Sequence, residues 1–136
     1  MRENIKIKRT KQGIPKVTAN TIEDCMYALG YIHAVDRGMQ MIFMKTLGRG
    51  RLSELLDASD TSLAIDIFFR RMNWYGRTSK PLSEVEPEKR KWLDSYCLGV
   101  NEGFAKTYPF ELTLLGVPKE TWVIEDCILI SRMIGY

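Results

Sequence analysis

Residues 30–54 read GYIHAVDRGMQMIFMKTLGRGRLSE, and the fold turns on how this stretch is understood. Its central part carries apolar residues all round a helical wheel. One stripe runs Leu29, His33, Asp36, Gln40, Phe43 and Leu47; a second, about a quarter turn away, runs Ala28, Ile32, Val35, Met39 and Ile42. A helix that is apolar on more than one face is a central helix, covered on several sides. His33, Asp36, Arg37 and Gln40 then form a structural polar cluster that needs partners inside the protein, because burying polarity unpaired is costly. Gln40 and Arg49 or Arg51 are the natural partners of Asp36. The helix ends near Leu47, since two glycines as close as Gly48 and Gly50 favour a turn, and residues 52–56 have room only for a short helical piece.

Upstream, residues 5–10 alternate, with Ile5, Ile7 and Arg9 on one face and Lys6, Lys8 and Thr10 on the other, which is the pattern of a half-buried strand. Lys11, Gln12 and Gly13 turn the chain and Ile14, Lys16, Val17 and Ala19 return it, with Pro15 restricting the pairing edge. A lone hairpin is marginal in water, so it docks on helices or joins a sheet supplied from elsewhere. Asn20, with Glu23 three residues later, signals the start of the central helix.

Downstream, the spacing of Ile65, Phe68, Phe69 and Met72 predicts a helix over residues 61–72, after which Trp74, Tyr75 and Gly76 suit an extended stretch. Residues 81–87 read as a connection. Pro87 suits the first turn of a helix with Glu84, Glu86 and Glu88 near its positive end; the stripe Leu93, Tyr96, Val100 and Phe104, backed by Cys97, carries that helix to about Thr107. Residues 110–122 read as irregular, held by burial of Leu112, Leu114, Leu115 and Trp122. Glu125 and Asp126 open a last helix, apolar on more than one face, which stops at Gly135 and Tyr136 without a cap and so reads as a piece of something longer.

The chain of 136 residues, 45% hydrophobic and 27% charged, suits one globular domain. No apolar run approaches the roughly 20 residues that span a bilayer, and Met1, Arg2, Glu3 and Asn4 do not begin a signal peptide, so the sequence as it stands reads as cytoplasmic. A net charge of +3, scattered among acidic residues, leaves no nucleic-acid footprint. The three cysteines, Cys25, Cys97 and Cys127, are far apart and unpaired in pattern; they read as buried small apolar residues and not as a disulfide framework or zinc site.

Set side by side, GYIHAVDRGMQM and GRGRLSELL closely resemble the penicillin acylase (penicillin amidase) family, in which a His-Ala pair, Asp-Arg and Gln-Met precede a Gly-Arg-Leu-Ser-Glu turn. IKIKRTKQGIPKVTA resembles that family's opening hairpin, SYCLGVNEGF its next helix, and PFELTLLGVPKETWVIEDCI its segment with Glu-Phe, Leu-Gly, Trp and Glu-Asp, all in the family's order. The expected fold is therefore α+β and helix-rich: a hairpin at residues 4–19, then a helical region at 20–136 with about four main helices. Residues 1–136 would form a single partial domain, the N-terminal part of the α chain in an N-terminal nucleophile hydrolase (αββα) assembly.

The resemblance implies hydrolysis of a linear amide, releasing an acyl group from a β-lactam nucleus, a homoserine lactone or a similar amine. The family's nucleophile is a serine that begins the β chain and uses its own α-amine as general base. An α-amine titrates near 8, so it can take the hydroxyl proton near neutrality. The resemblance thus places no catalytic residue in this chain, implies a β chain of the same precursor as partner, and predicts that the isolated chain is inactive and self-associates. It implies no cofactor here, allows a structural calcium ion in the full enzyme, and notes that relatives are often periplasmic or secreted. Laid against the family's acyl pocket, Ile134, Gly135 and Tyr136 fall at or just before its lining; as core residues of a buried helix they have an equally plain reading. His33 with Asp36 and Cys25 suggests a metal site, but three or four ligands are usual and one histidine with hydrogen-bonded neighbours is the simpler account. Two other classes fit the residues: a non-catalytic helical interaction module, and a basic helical nucleic-acid binder, which salt-sensitive DNA binding would reveal.

Overall fold

The computed structural model describes residues 4–136. Two strands open the chain, β1 (Lys6–Arg9) and β2 (Pro15–Thr18), followed among the described residues by seven helices: α1 (Ile22–Gly48), α2 (Leu52–Leu55), α3 (Asp60–Met72), α4 (Ser79–Glu84), α5 (Pro87–Lys106), α6 (Phe110–Leu114) and α7 (Ile124–Ile134). The four long helices, α1, α3, α5 and α7, are the main ones anticipated. Contacts divide the described residues into two compact units, one of residues 4–38 and 86–108, the other of residues 39–85 and 109–136.

In the first unit the strands pair antiparallel, Lys6 opposite Thr18 and Arg9 opposite Pro15. Gly13, at φ 82°, makes the turn, where its N–H donates to the Thr10 carbonyl. The alternation is used as read. Ile5 is buried with Tyr27 and Ala28 of α1, and Ile7, Val17 and Ala19 pack against them. The cap of α1 lies one residue later than expected: Thr21 Oγ1 accepts from the Asp24 N–H at 3.1 Å.

α5 meets the first half of α1 backbone to backbone. A Cβ built on Gly30 would collide with the Tyr96 carbonyl, one on Gly99 with the Tyr27 carbonyl, and one on Gly103 would sit 2.6 Å from Ala34 Cβ. Small residues one turn apart on each helix permit this approach. Around the contact Ile32, Ala34, Cys97, Val100 and Phe104 are buried, so the predicted α5 stripe is the packed one.

α1 departs from a continuous central helix at Arg37, whose φ of −131° and ψ of 17° break the helical geometry. Gly38, a poor helix former, follows directly. A larger correction concerns which faces are covered. Ala28, Ile32 and Ile42 of the second stripe are buried, but the first stripe faces outward: Leu29 is 39% and Phe43 41% exposed, with Asp36 and Gln40 exposed beside them. Apolar residues all round the wheel overstated how much of α1 is enclosed.

In the second unit, the end of α1 is fixed by both glycines. The Gly50 N–H donates to the Leu47 carbonyl and the Arg51 N–H to the Thr46 carbonyl, a paired closure that needs the left-handed φ of 64° found at Gly50. Gly48 lets α7 approach: an added Cβ would lie 2.5 Å from Met133 Sδ and 2.9 Å from Leu129. α2 has no side-chain cap of its own. Asp66 of α3, 2% exposed, supplies it by accepting from the Leu52 and Ser53 N–H groups, both at 2.8 Å, and from the Ser53 hydroxyl at 2.6 Å. Burial pushes the Asp66 carboxyl up, but these hydrogen bonds and nearby Arg70 outweigh it and hold it below the usual range.

Several further expectations are corrected. Residues 74–76 form a turn and not an extended stretch, and the supposed connection at 81–87 overlaps the end of α4. α6 lies within the segment read as irregular; Leu112 and Trp122 are buried there, but Leu114 is 75% and Leu115 54% exposed, because α6 is too short to cover two faces. Of the cysteines only Cys97 is buried; Cys25 is exposed and Cys127 half-buried.

Candidate functional site

The last turn of α1 places Lys45 and Arg49 four residues apart on one face, and both turn inward in the second unit. Lys45, 3% exposed, extends its ammonium to Asp126 at 3.2 Å and Glu120 at 3.6 Å and donates to the Thr121 carbonyl at 3.0 Å. Arg49 pairs with Asp126 at 2.5 Å and Glu120 at 3.0 Å, donates to the Tyr75 hydroxyl at 2.9 Å and lies 4.3 Å from that ring's centre. Arg51 completes the set by bridging Glu120 at 2.5 Å and Glu54 at 2.7 Å. Asp126 has no exposed surface, and its second role is to accept from the Val123 N–H at 3.1 Å, which caps α7.

Charges this deep persist only when paired and hydrogen-bonded. Burial raises the Glu120 carboxyl, but the hydrogen bond from Arg51 and the charges of Arg51, Lys45 and Arg49 hold it below the ordinary range. Burial pushes the Tyr75 phenol up, against the pull of Arg49. The network joins α1, residues 117–123 and the start of α7, and so sets where α7 ends. Sequence reading had Arg49 and Arg51 in view for a different carboxylate and missed Lys45 and Glu120, since a lysine in a helix ordinarily reads as solvent-facing.

At the far end of α7, Trp74, Arg77, Arg132, Gly135 and Tyr136 line an open cleft of about 440 Å³. Arg132 Nη1 donates to the Trp74 carbonyl at 3.1 Å, which ties the helix to the turn after α3. The Trp74 and Tyr136 rings have centres 5.0 Å apart, and Phe68 and Phe69 continue the aromatic cluster behind Trp74. Of the three residues laid against an acyl pocket, Gly135 and Tyr136 thus line one cleft; Ile134 is not among its lining residues and is 77% exposed. The arrangement offers ring surface and guanidinium donors, with no nucleophile and base in contact.

The polar cluster expected around His33 is not assembled. His33 Nδ1 shares a 3.0 Å hydrogen bond with the Tyr96 hydroxyl, and burial lowers its pKa while Asp36 opposes the shift. Asp36 instead accepts from Arg9 of β1 at 2.6 and 3.0 Å on the exposed surface, and Arg37 and Gln40 are exposed. The reason is the outward orientation of their stripe: water solvates it, so no interior partners are required. Among the described residues no three His, Cys, Asp or Glu side chains converge to hold a metal ion.

Comparison with known proteins adds independent findings. The sequence profile of the family described as penicillin amidase matches residues 4–136. The chain is 31% identical over 137 residues to acyl-homoserine lactone acylase QuiP of Pseudomonas syringae pv. tomato, covering 98% of this chain and 16% of that protein. It is 31% identical over 133 residues to penicillin acylase 2 proenzyme of Pseudomonas sp. (strain SE83), covering 96% of this chain and 17% of that protein. In structure it is similar to thermostable penicillin G acylase from Alcaligenes faecalis, with a TM-score of 0.80 at 20% identity over 94% of this chain and 70% of the other. The chain therefore spans about a sixth of the length of the curated relatives it matches.

Proposed function

The chain belongs to the penicillin amidase family and is similar in fold to part of a penicillin G acylase, and from this premise we propose that it is the α-chain portion of an N-terminal nucleophile amidohydrolase that cleaves a linear amide. The bond cleaved joins an acyl group to an amine such as a homoserine lactone or a β-lactam nucleus. The observation that carries this reading is the family match across residues 4–136, supported by similarity to relatives named as acylases of those two kinds.

In this reading the chain provides scaffold and part of the wall against which the acyl group lies, and a serine at the head of a β chain provides the nucleophile. The cleft at Gly135 and Tyr136 supports the wall assignment, because it presents aromatic surface at the end of a helix whose start is locked by buried ion pairs. A rigidly placed wall favours hydrolysis by holding the amide carbonyl in register with the nucleophile. The test is to assay release of homoserine lactone from an N-acyl homoserine lactone by this chain alone and by the full assembly of α and β chains that contains it. Hydrolysis by the assembly alone is expected; turnover by the purified chain, abolished by a mutation within residues 4–136, would overturn the division of labour.

A further inference from the structure

The opening hairpin concentrates charge that the rest of the chain does not. Residues 4–20 contain five basic side chains and no acidic one, whereas the whole chain carries only +3, so the remainder is net acidic. Arg9 is engaged with Asp36. Lys6, Lys8, Lys11 and Lys16 are exposed and make no hydrogen bond or ion pair with any described residue.

The pairing of β1 with β2 gathers three of these lysines on one face. Strand alternation puts Ile7 and Val17 inward, against Tyr27 and Ala28, and Lys6, Lys8, Lys16 and Thr18 outward. Lys8 stands directly opposite Lys16, and like charges so placed destabilise a sheet. A two-stranded hairpin has little stability with which to offset such a pair. Ile14 lies two residues before Lys16, and the proline that follows keeps it extended, so it falls on the lysine face, where it is 62% exposed.

Each half of this arrangement excludes a kind of partner. Lysines alone would do no more than keep the sheet edge soluble, but an exposed isoleucine set among them works against that. An apolar layer laid over the face would strip water from three ammoniums and return nothing. Nucleic-acid sites draw on arginine and on aromatic rings for stacking; the hairpin's one arginine is engaged, and residues 4–20 hold no aromatic. Anionic phosphates lying over hydrocarbon answer both halves: the ammoniums meet headgroups as compact point charges, and the aliphatic side chain enters the boundary beneath. A strand added at either edge would use backbone groups and leave the face as it is.

We propose that the outer face of the hairpin docks on an anionic lipid surface, with Lys6, Lys8 and Lys16 on phosphate headgroups and Ile14 at the border of the acyl chains. The proposal does not rest on the acylase reading. The attachment is peripheral, since among the described residues no helix is long and apolar enough to cross a membrane.

Co-sedimentation with lipid vesicles, using the full assembly of α and β chains that contains this chain, tests it. Vesicles of equal parts phosphatidylglycerol and phosphatidylcholine are expected to bind the protein, more weakly as salt rises, and vesicles of phosphatidylcholine alone are not. Lys8→Gln combined with Lys16→Gln should weaken binding about thirtyfold, at about fivefold for each lysine near an anionic leaflet, whereas Lys8→Arg with Lys16→Arg should retain it. Ile14→Ser should weaken binding severalfold with the charge unchanged. Relief of the Lys8–Lys16 repulsion should leave the double glutamine variant at least as stable in urea as the parent, which separates its loss of binding from unfolding. Equal binding to both kinds of vesicle, no binding to either, or unchanged binding by the double glutamine variant would overturn the proposal. So would binding to a short DNA duplex but not to vesicles, which would replace the lipid with a nucleic acid. Hairpin lysines that resist acetylation in the lipid-free assembly would show the face covered within the protein, and would overturn it too.

Discussion

Asp126 and Asp36 are both carboxylates on helices, both paired with arginine, and burial separates them. Asp126 has no exposed surface and balances Lys45 and Arg49 while capping α7. Replacing it by alanine leaves Lys45 and Arg49 to share the single, partly exposed carboxylate of Glu120 and removes the cap of α7, and urea melts should show a loss of about 3–5 kcal/mol. Asp36→Ala removes an exposed pair with Arg9 and should leave the urea midpoint almost unmoved. The sequence pointed the other way, to Asp36 as the buried carboxylate, because apolar neighbours on the wheel suggested enclosure that packing does not provide. Acid stability should track Asp66 and Glu120, whose folded pKa values lie below the reference values of 3.8 and 4.5. A depressed folded pKa means that the unfolded chain binds protons first, so this stabilisation is complete above about pH 4.5 and is lost as pH falls through the folded values. Asp66→Asn should accordingly flatten the pH dependence of stability below about pH 4 as well as weaken the cap of α2; an unaltered acid limb would mean that Asp66 is not ionised in the folded state.

The helices themselves were largely legible. α3, α5 and α7 begin and end close to where capping residues, Pro87 and apolar spacing put them, and Gly48 and Gly50 ended α1 as expected. What periodicity could not supply was the partner each face meets. The bend at Arg37, the outward stripe of α1 and the inward turn of Lys45 follow from packing between segments distant in sequence. The contact of α1 with α5 had a local trace in Gly30, Gly99 and Gly103, but a glycine within a helix says only that something comes close. Gly99→Ala should therefore destabilise the chain by about 1–3 kcal/mol or more through overpacking, although alanine favours helix. Leu98→Ala, at an exposed neighbour, is the control. A Gly99→Ala variant as stable as the parent would show that the two backbones are farther apart than described.

For the molecule, the proposed function divides labour between this chain and the rest of an enzyme; the relative acyl-homoserine lactone acylase is about six times the length of this chain. In the second unit alone, Phe43, Phe110, Leu114, Leu115 and Ile134 are exposed apolar residues, and apolar surface of this kind is what interfaces cover where it is contiguous. Light scattering across a concentration series should show the isolated chain self-associating, and a monomer at every concentration that binds no apolar dye would count against this. The family was readable from the motifs, whereas the cleft was readable only in part: Gly135 and Tyr136 were named through a resemblance, but Trp74, Arg77 and Arg132 join them only in three dimensions. The most direct test of the wall assignment is the ratio of kcat/KM values for short and long N-acyl homoserine lactones in the assembled enzyme, before and after Gly135→Leu and Tyr136→Ala. Differential loss is predicted, with one acyl length changing at least about tenfold relative to the other, as pocket filling by a few methylenes allows, while kcat for the favoured length holds. Equal changes at every acyl length, or none, would contradict a role for this cleft in holding the acyl group.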